Sequence, residues 1–136
     1  MKRHSLAGVV ALIGAATLAM TATAAVAPGT YKGKIAGSPA TVTVVGKKVT
    51  IKAPKFPIKC LGPSGAYDAP SAPMKYEFKG TLKGNKVSGT YRSPVGGTGE
   101  LFIANGTFWP AKRSFTGTLS FHGYCRGTST IKANKA

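Results

Sequence analysis

The chain has 136 residues, with 19 Lys plus Arg against 3 Asp plus Glu, a formal net charge of +16. That length fits one domain. Three acids in so basic a chain are a poor basis for a two-carboxylate hydrolase, and two cysteines cannot by themselves build a tetrahedral zinc site.

The start reads as a secretory signal peptide. "MKRH" is a positive n-region, "SLAGVVALIGAATLAM" an uncharged apolar stretch, and "TATAAVA" offers small residues at cleavage spacing. Ala22-x-Ala24 and Ala25-x-Ala27 are both available. Cleavage after Ala27 would put Pro28 beside the scissile bond, so Ala24 is preferred. The segment retained as a membrane anchor is the alternative. On this reading residues 1–24 are removed and residues 25–136 form one domain, exported to the periplasm or the exterior. Losing Lys2 and Arg3 leaves 17 basic against 3 acidic residues, a net +14.

Glycine and threonine punctuate the rest. Gly-Thr begins at 29, 80, 89, 97, 106, 117 and 127, and β-branched and aromatic residues dominate between. Short strands with turn signals at that spacing predict an all-β antiparallel meander of eight or nine strands, either a β-barrel or a strongly coiled sandwich. "GTYKGK" is the first strand. "TVTVVGKKVTIK" predicts a hairpin turning at Gly46-Lys47, with Val44 opposite Val49 and Val42 opposite Ile51. Lys48 and Lys52 then point outward with Thr41, Thr43 and Thr50. Residues 53–73, "APKFPIKCLGPSGAYDAPSAP", hold five prolines and no alternation. They are expected to be a long loop.

Cys60 lies in that loop and Cys125 near the end. In an exported chain an even pair predicts one disulfide, with two buried free thiols as the alternative.

Residues 75–92 predict a second hairpin, at Gly84-Asn85. Tyr76, Phe78, Leu82, Val87 and Tyr91 share one face. Lys75, Lys79, Thr81, Lys83, Lys86, Ser88, Thr90 and Arg92 share the other, and a one-residue slip would exchange the two. In that register Glu77 meets Arg92. "ELFIANGTFW" predicts a third hairpin, at Asn105-Gly106. It would put Ile103 and Phe108 on one face and Phe102 and Trp109 on the other. Both faces cannot line one core. The second set is either covered by the proline-rich loop or left open as an aromatic platform of Phe102 and Trp109, flanked by Lys112 and Arg113. "SFTGTLSF" directs Phe115, Leu119 and Phe121 inward, and "GTSTIK" is the last strand.

After signal removal the titratable residues suited to catalysis are His122, Asp68, Glu77 and Glu100. No nucleophile-elbow or phosphate-cradling glycine motif accompanies them. A non-catalytic protein with no metal and no cofactor is expected. The charge predicts non-specific attraction to anionic polymers outside the cytoplasm: teichoic acid, acidic polysaccharide, lipid headgroups or nucleic acid. Lys48, Lys52, Lys79, Lys83, Lys86 and Arg92 are the expected contacts. A solvated face that merely protects sheet edges is the plainer alternative.

The whole outline, a signal segment, "PGTYKGK", Gly-Thr strands and one cysteine pair, resembles small secreted bacterial all-β proteins, a likeness that implies no activity. "VSGTYRSPVG", residues 87–96, is similar to a strand and loop of avidin-like barrels. That resemblance implies an up-and-down barrel with Tyr91 and Ser93 as ligand contacts. The family walls its biotin pocket with several tryptophans, and here Trp109 is the single one. A small-ligand carrier, or an inhibitor-like module presenting residues 53–73, are the other functions compatible with the pattern.

Overall fold

The structure, a computed structural model, describes residues 25–92 and 100–136. The expected signal segment, residues 1–24, and Ser93 lie outside the described residues. Ten strands follow in chain order: β1 (Gly29–Ile35), β2 (Ser38–Val45), β3 (Lys48–Phe56), β4 (Lys59–Cys60), β5 (Ala69–Pro70), β6 (Met74–Lys83), β7 (Lys86–Tyr91), β8 (Leu101–Trp109), β9 (Ser114–His122) and β10 (Cys125–Lys135). Eight of them pair antiparallel in the order β1-β2-β3-β6-β7-β8-β9-β10, and β10 returns to β1 to close an up-and-down barrel.

Alternation decides which side chains fill it. Tyr31, Val42, Val44, Val49, Ile51, Phe78, Val87, Ala104, Leu119 and Ile131 are all buried and all point inward. Two aromatic groups fill the ends. Tyr31, Phe108 and Phe115 stack near the chain termini, and Phe56, Tyr76, Phe102 and Phe121 stack at the other end. An eight-stranded barrel is just wide enough for side chains to fill. Outward positions are mostly Lys, Thr and Ser, where a membrane-spanning barrel presents an apolar band. No helix among the described residues is long and apolar enough to cross a membrane.

The first hairpin has the expected register, Val42 with Ile51 and Val44 with Val49. The second keeps its faces but not its length. Only Leu82–Val87 and Lys83–Lys86 pair. β7 pairs with β8 along its whole length, from Lys86 to Tyr91, while its pairing with β6 ends at Val87, two residues before Gly89 with its φ of 145°. Glu77 therefore does not meet Arg92. Its partner is Lys79 on the same strand, 3.5 Å away. The widened seam is bridged by the Tyr76 hydroxyl, which donates to the Ile103 carbonyl of β8.

The third hairpin does not turn at Asn105-Gly106. Residues 101–109 are one strand, and the chain reverses through a short 3-10 segment at Pro110–Lys112, with Arg113 at φ 48°. Gly106 serves packing rather than turning. It sits opposite Gly117 on β9, and a Cβ there would run into the Phe115 ring. Phe102 and Phe108 thus share the inner face.

Residues 53–73 are only partly a loop. Ala53 and Phe56 complete β3 and are buried, with a register shift between them. β4 and β5 then form a small flap hairpin attached to the start of β10. Cys60 pairs with Cys125 there and the two form a disulfide across 65 residues of sequence. Tyr67 of the flap lies over the Arg126 guanidinium at 4.3 Å.

Replacing Cys60 and Cys125 by Ser should lower stability by about 4 kcal/mol if the bond acts by restricting the unfolded chain. Urea unfolding of the variant against the oxidised protein measures it. Burial also pushes the Tyr76 phenol well above its ordinary value of 10.0. With the folded-state pKa raised, the stabilisation held by the neutral phenol is complete below about pH 10 and is lost as pH rises beyond it. Tyr76→Phe should flatten the alkaline fall in the urea midpoint, although it also loses the hydrogen bond to Ile103.

Candidate functional site

Among the described residues the barrel interior is lined by hydrocarbon and aromatic side chains, with the Tyr76 hydroxyl given to the Ile103 carbonyl and the Tyr31 hydroxyl to the Ala27 carbonyl. The candidate surface is the outer wall. Lys48, Lys52, Lys79, Lys83, Lys86 and Arg92 are all exposed, as alternation predicts. Cross-strand pairing groups them. Lys52 lies beside Glu77, Lys79 beside Thr50, Lys48 beside Thr81, and Lys83 directly opposite Lys86. Lys79 also stands 6.0 Å from the Tyr91 ring centre. Arg92 follows the end of β7 at Tyr91 and joins no cross-strand pair among the described residues.

The aromatic platform is smaller than expected and differently placed. Phe102 is 5% exposed and packs against Tyr76, Tyr91 and Phe121, so it cannot take part. This corrects the pairing of Phe102 with Trp109, and the cause is the continuous strand through Gly106. Trp109, seven positions further along β8, faces outward and is 46% exposed. Its Nε1 donates to the Thr116 hydroxyl at 2.8 Å. A groove of about 270 Å³ opens beside it, lined also by Lys112, Ser114 and Lys132. Arg113 is not part of that lining. It lies in the turn, where its charge draws the buried Tyr31 phenol partly back from the rise that burial causes. The proline-rich segment does not cover Trp109, because the flap joins the start of β10 while Trp109 lies beside the end of that strand.

A second groove, of about 600 Å³, runs over the outer wall of β7 to β10 with Gly106 and Gly117 at its centre. Its sides are Lys86, Ser88, Asn105, Thr107, Thr118 and Lys132. It shares Thr116 and Lys132 with the groove beside Trp109. Sequence reasoning passed over Lys132 and the threonines of β8, β9 and β10. The signal was the outward half of "SFTGTLSF" and "GTSTIK", visible only as the complement of the apolar half.

Glu100 lies against Gly123, the residue after His122, and the other acids are engaged elsewhere. Asp68 accepts a 3.4 Å hydrogen bond from Ser64 in the flap, Glu77 is engaged by Lys79, and His122 is exposed at the end of β9. Among the described residues no group of three His, Cys, Asp or Glu side chains is placed to hold a metal. Leu61 of the flap and Tyr124 of the turn between β9 and β10 are both exposed, and the Leu61 N–H donates to the Tyr124 carbonyl at 3.2 Å.

Trp109→Ala should shift the melting temperature little, whereas Phe102→Ala should cost about 3–5 kcal/mol, as truncation of a buried aromatic does. Thermal unfolding of the two variants side by side separates surface from core. The chain matches no family model, no curated protein and no solved structure, so its functional reading rests on this geometry.

Proposed function

We propose that this is an exported, non-catalytic protein that binds anionic polymers of the cell envelope or the extracellular space through its outer barrel wall. One observation carries the reading: Lys48, Lys52, Lys79, Lys83, Lys86 and Arg92 all stand in solvent, and the acid nearest them, Glu77, is already paired with Lys79. Threonines beside the lysines add hydroxyls that donate to phosphate, sulfate or carboxylate oxygens. The apolar stretch at the start of the chain and the disulfide both suit an oxidising compartment outside the cytoplasm. A side-chain-filled interior speaks against a carrier that encloses its ligand.

Binding of this kind releases counterions. For a nucleic acid probe, log affinity should fall linearly with log salt, losing roughly 10³-fold between about 50 and 200 mM if six phosphates are engaged. It should be indifferent to base sequence, since contacts to the backbone carry no sequence information. The variant Lys79→Glu/Lys83→Glu/Lys86→Glu should lose most of the binding and stay folded, all three side chains being exposed. Salt titrations of teichoic acid, heparin and DNA binding, with circular dichroism of the variant, make the test. Salt-insensitive binding, or none at low salt, would reduce the charge to a solvated face.

A further inference from the structure

Cross-strand register lines up six outward residues on six neighbouring strands. Lys34 of β1 faces Lys132 of β10, and Lys132 faces Thr116 of β9. Thr116 faces Thr107 of β8, Thr107 faces Lys86 of β7, and Lys86 faces Lys83 of β6. The row has two lysines at each end and two threonines between. With neighbouring strands about 4.8 Å apart, Lys132 and Lys86 stand about 14 Å from each other. Two residues further along each strand, Thr130, Thr118, Asn105 and Ser88 form a parallel polar row. The middle of the first row and the whole of the second line the 600 Å³ groove. Trp109 adjoins it, held by its bond to Thr116, with its indole partly open to solvent.

We propose that this band is the seat of one strand of acidic polysaccharide, a refinement that rests on the anionic-polymer reading above. Each part of the band matches a part of such a polymer. Sugar hydroxyls both donate and accept, and so do the Thr and Ser hydroxyls and the Asn105 amide. Lysines donate only, and their place at the ends of the row suits carboxylates or sulfates on successive sugars. An indole gives a flat apolar face for the C–H side of a pyranose, and the cations beside it suit the anionic substituents. The other polyanions use less of the band. A single-stranded nucleic acid stacks successive bases on successive aromatics, and Trp109 is the one aromatic lining these grooves. A polyphosphate has no ring to place on the indole.

The test uses the mature protein with four probes: alginate oligomers for carboxylate, heparin oligomers for sulfate, polyphosphate for charge without sugar, and a neutral glucan. Trp109 is the only tryptophan, so its emission reports on the band directly. One or both acidic glycans should shift that emission on binding, and which of them does so identifies the anionic group. Polyphosphate should bind without the shift. Lys86→Glu/Lys132→Glu should weaken glycan binding about tenfold more than Lys48→Glu/Lys52→Glu, which makes the same charge change on β3, across the barrel from the groove. Trp109→Ala should weaken the glycan about tenfold and leave polyphosphate unchanged. Equal losses from the two lysine pairs, or glycan binding with unaltered emission, would overturn the band as the seat while the broader charge reading stands. Failure of every polyanion to bind would overturn both.

Discussion

Four residue pairs between β1 and β10, from Tyr31 with Lys135 to Lys34 with Lys132, turn a meander into a closed wall. Without them β1 and β10 would each expose a row of unpaired N–H and C=O groups, the usual template for pairing with another chain. With them the eight strands present one apolar interior and one polar exterior, and the interior is satisfied by side chains of this chain alone. Closure also decides which side chains solvent reaches. The described inward side chains pack against one another, and the lysines and threonines stand on the outer surface.

That surface is costly to assemble. Closure sets Lys34 directly opposite Lys132, and the second hairpin sets Lys83 opposite Lys86. Like charges facing each other across strands are destabilising, by an amount within the roughly 0.2–1 kcal/mol scale of cross-strand pairs. Neither pair is needed to keep the interior packed, because all four side chains point outward. Solvated lysines would be cheaper apart than together. An anion seated between them relieves the repulsion, so a ligand at this wall would stabilise the fold as well as bind to it.

How much was legible in the chain depends on whether local and distant demands agreed. At Gly46-Lys47 they did: turn chemistry, alternation and core-facing valines all selected one register. At Gly84-Asn85 they agreed for two residue pairs, after which β7 parted from β6 and kept only its pairing with β8. At Asn105-Gly106 they conflicted. The dipeptide is a strong turn signal taken alone, but Gly106 was required for the approach of the Phe115 ring from the neighbouring strand, and a window on β8 contains no trace of Phe115. The same conflict hid the groove. The lysines of the two readable hairpins stood out as clusters, whereas the row from Lys34 to Lys83 draws one residue from each of six strands and exists only once register and closure are known. Trp109 was legible as an oddity of the pattern, and Phe102 was assigned to its face only because the turn was misplaced.

The position of β10 has a consequence for the order of events in folding. Its residues close the barrel against β1, and its first residue carries the sulfur that pins the flap. Neither the seam nor the disulfide can form until this strand is present. Local hairpins can flicker beforehand, but they have no completed interior in which to bury their apolar faces. The protein therefore remains an open, unlocked chain until its final strand arrives, and then becomes closed and cross-linked within one stage. Such a schedule keeps the closed, cross-linked state out of reach of any chain that lacks β10.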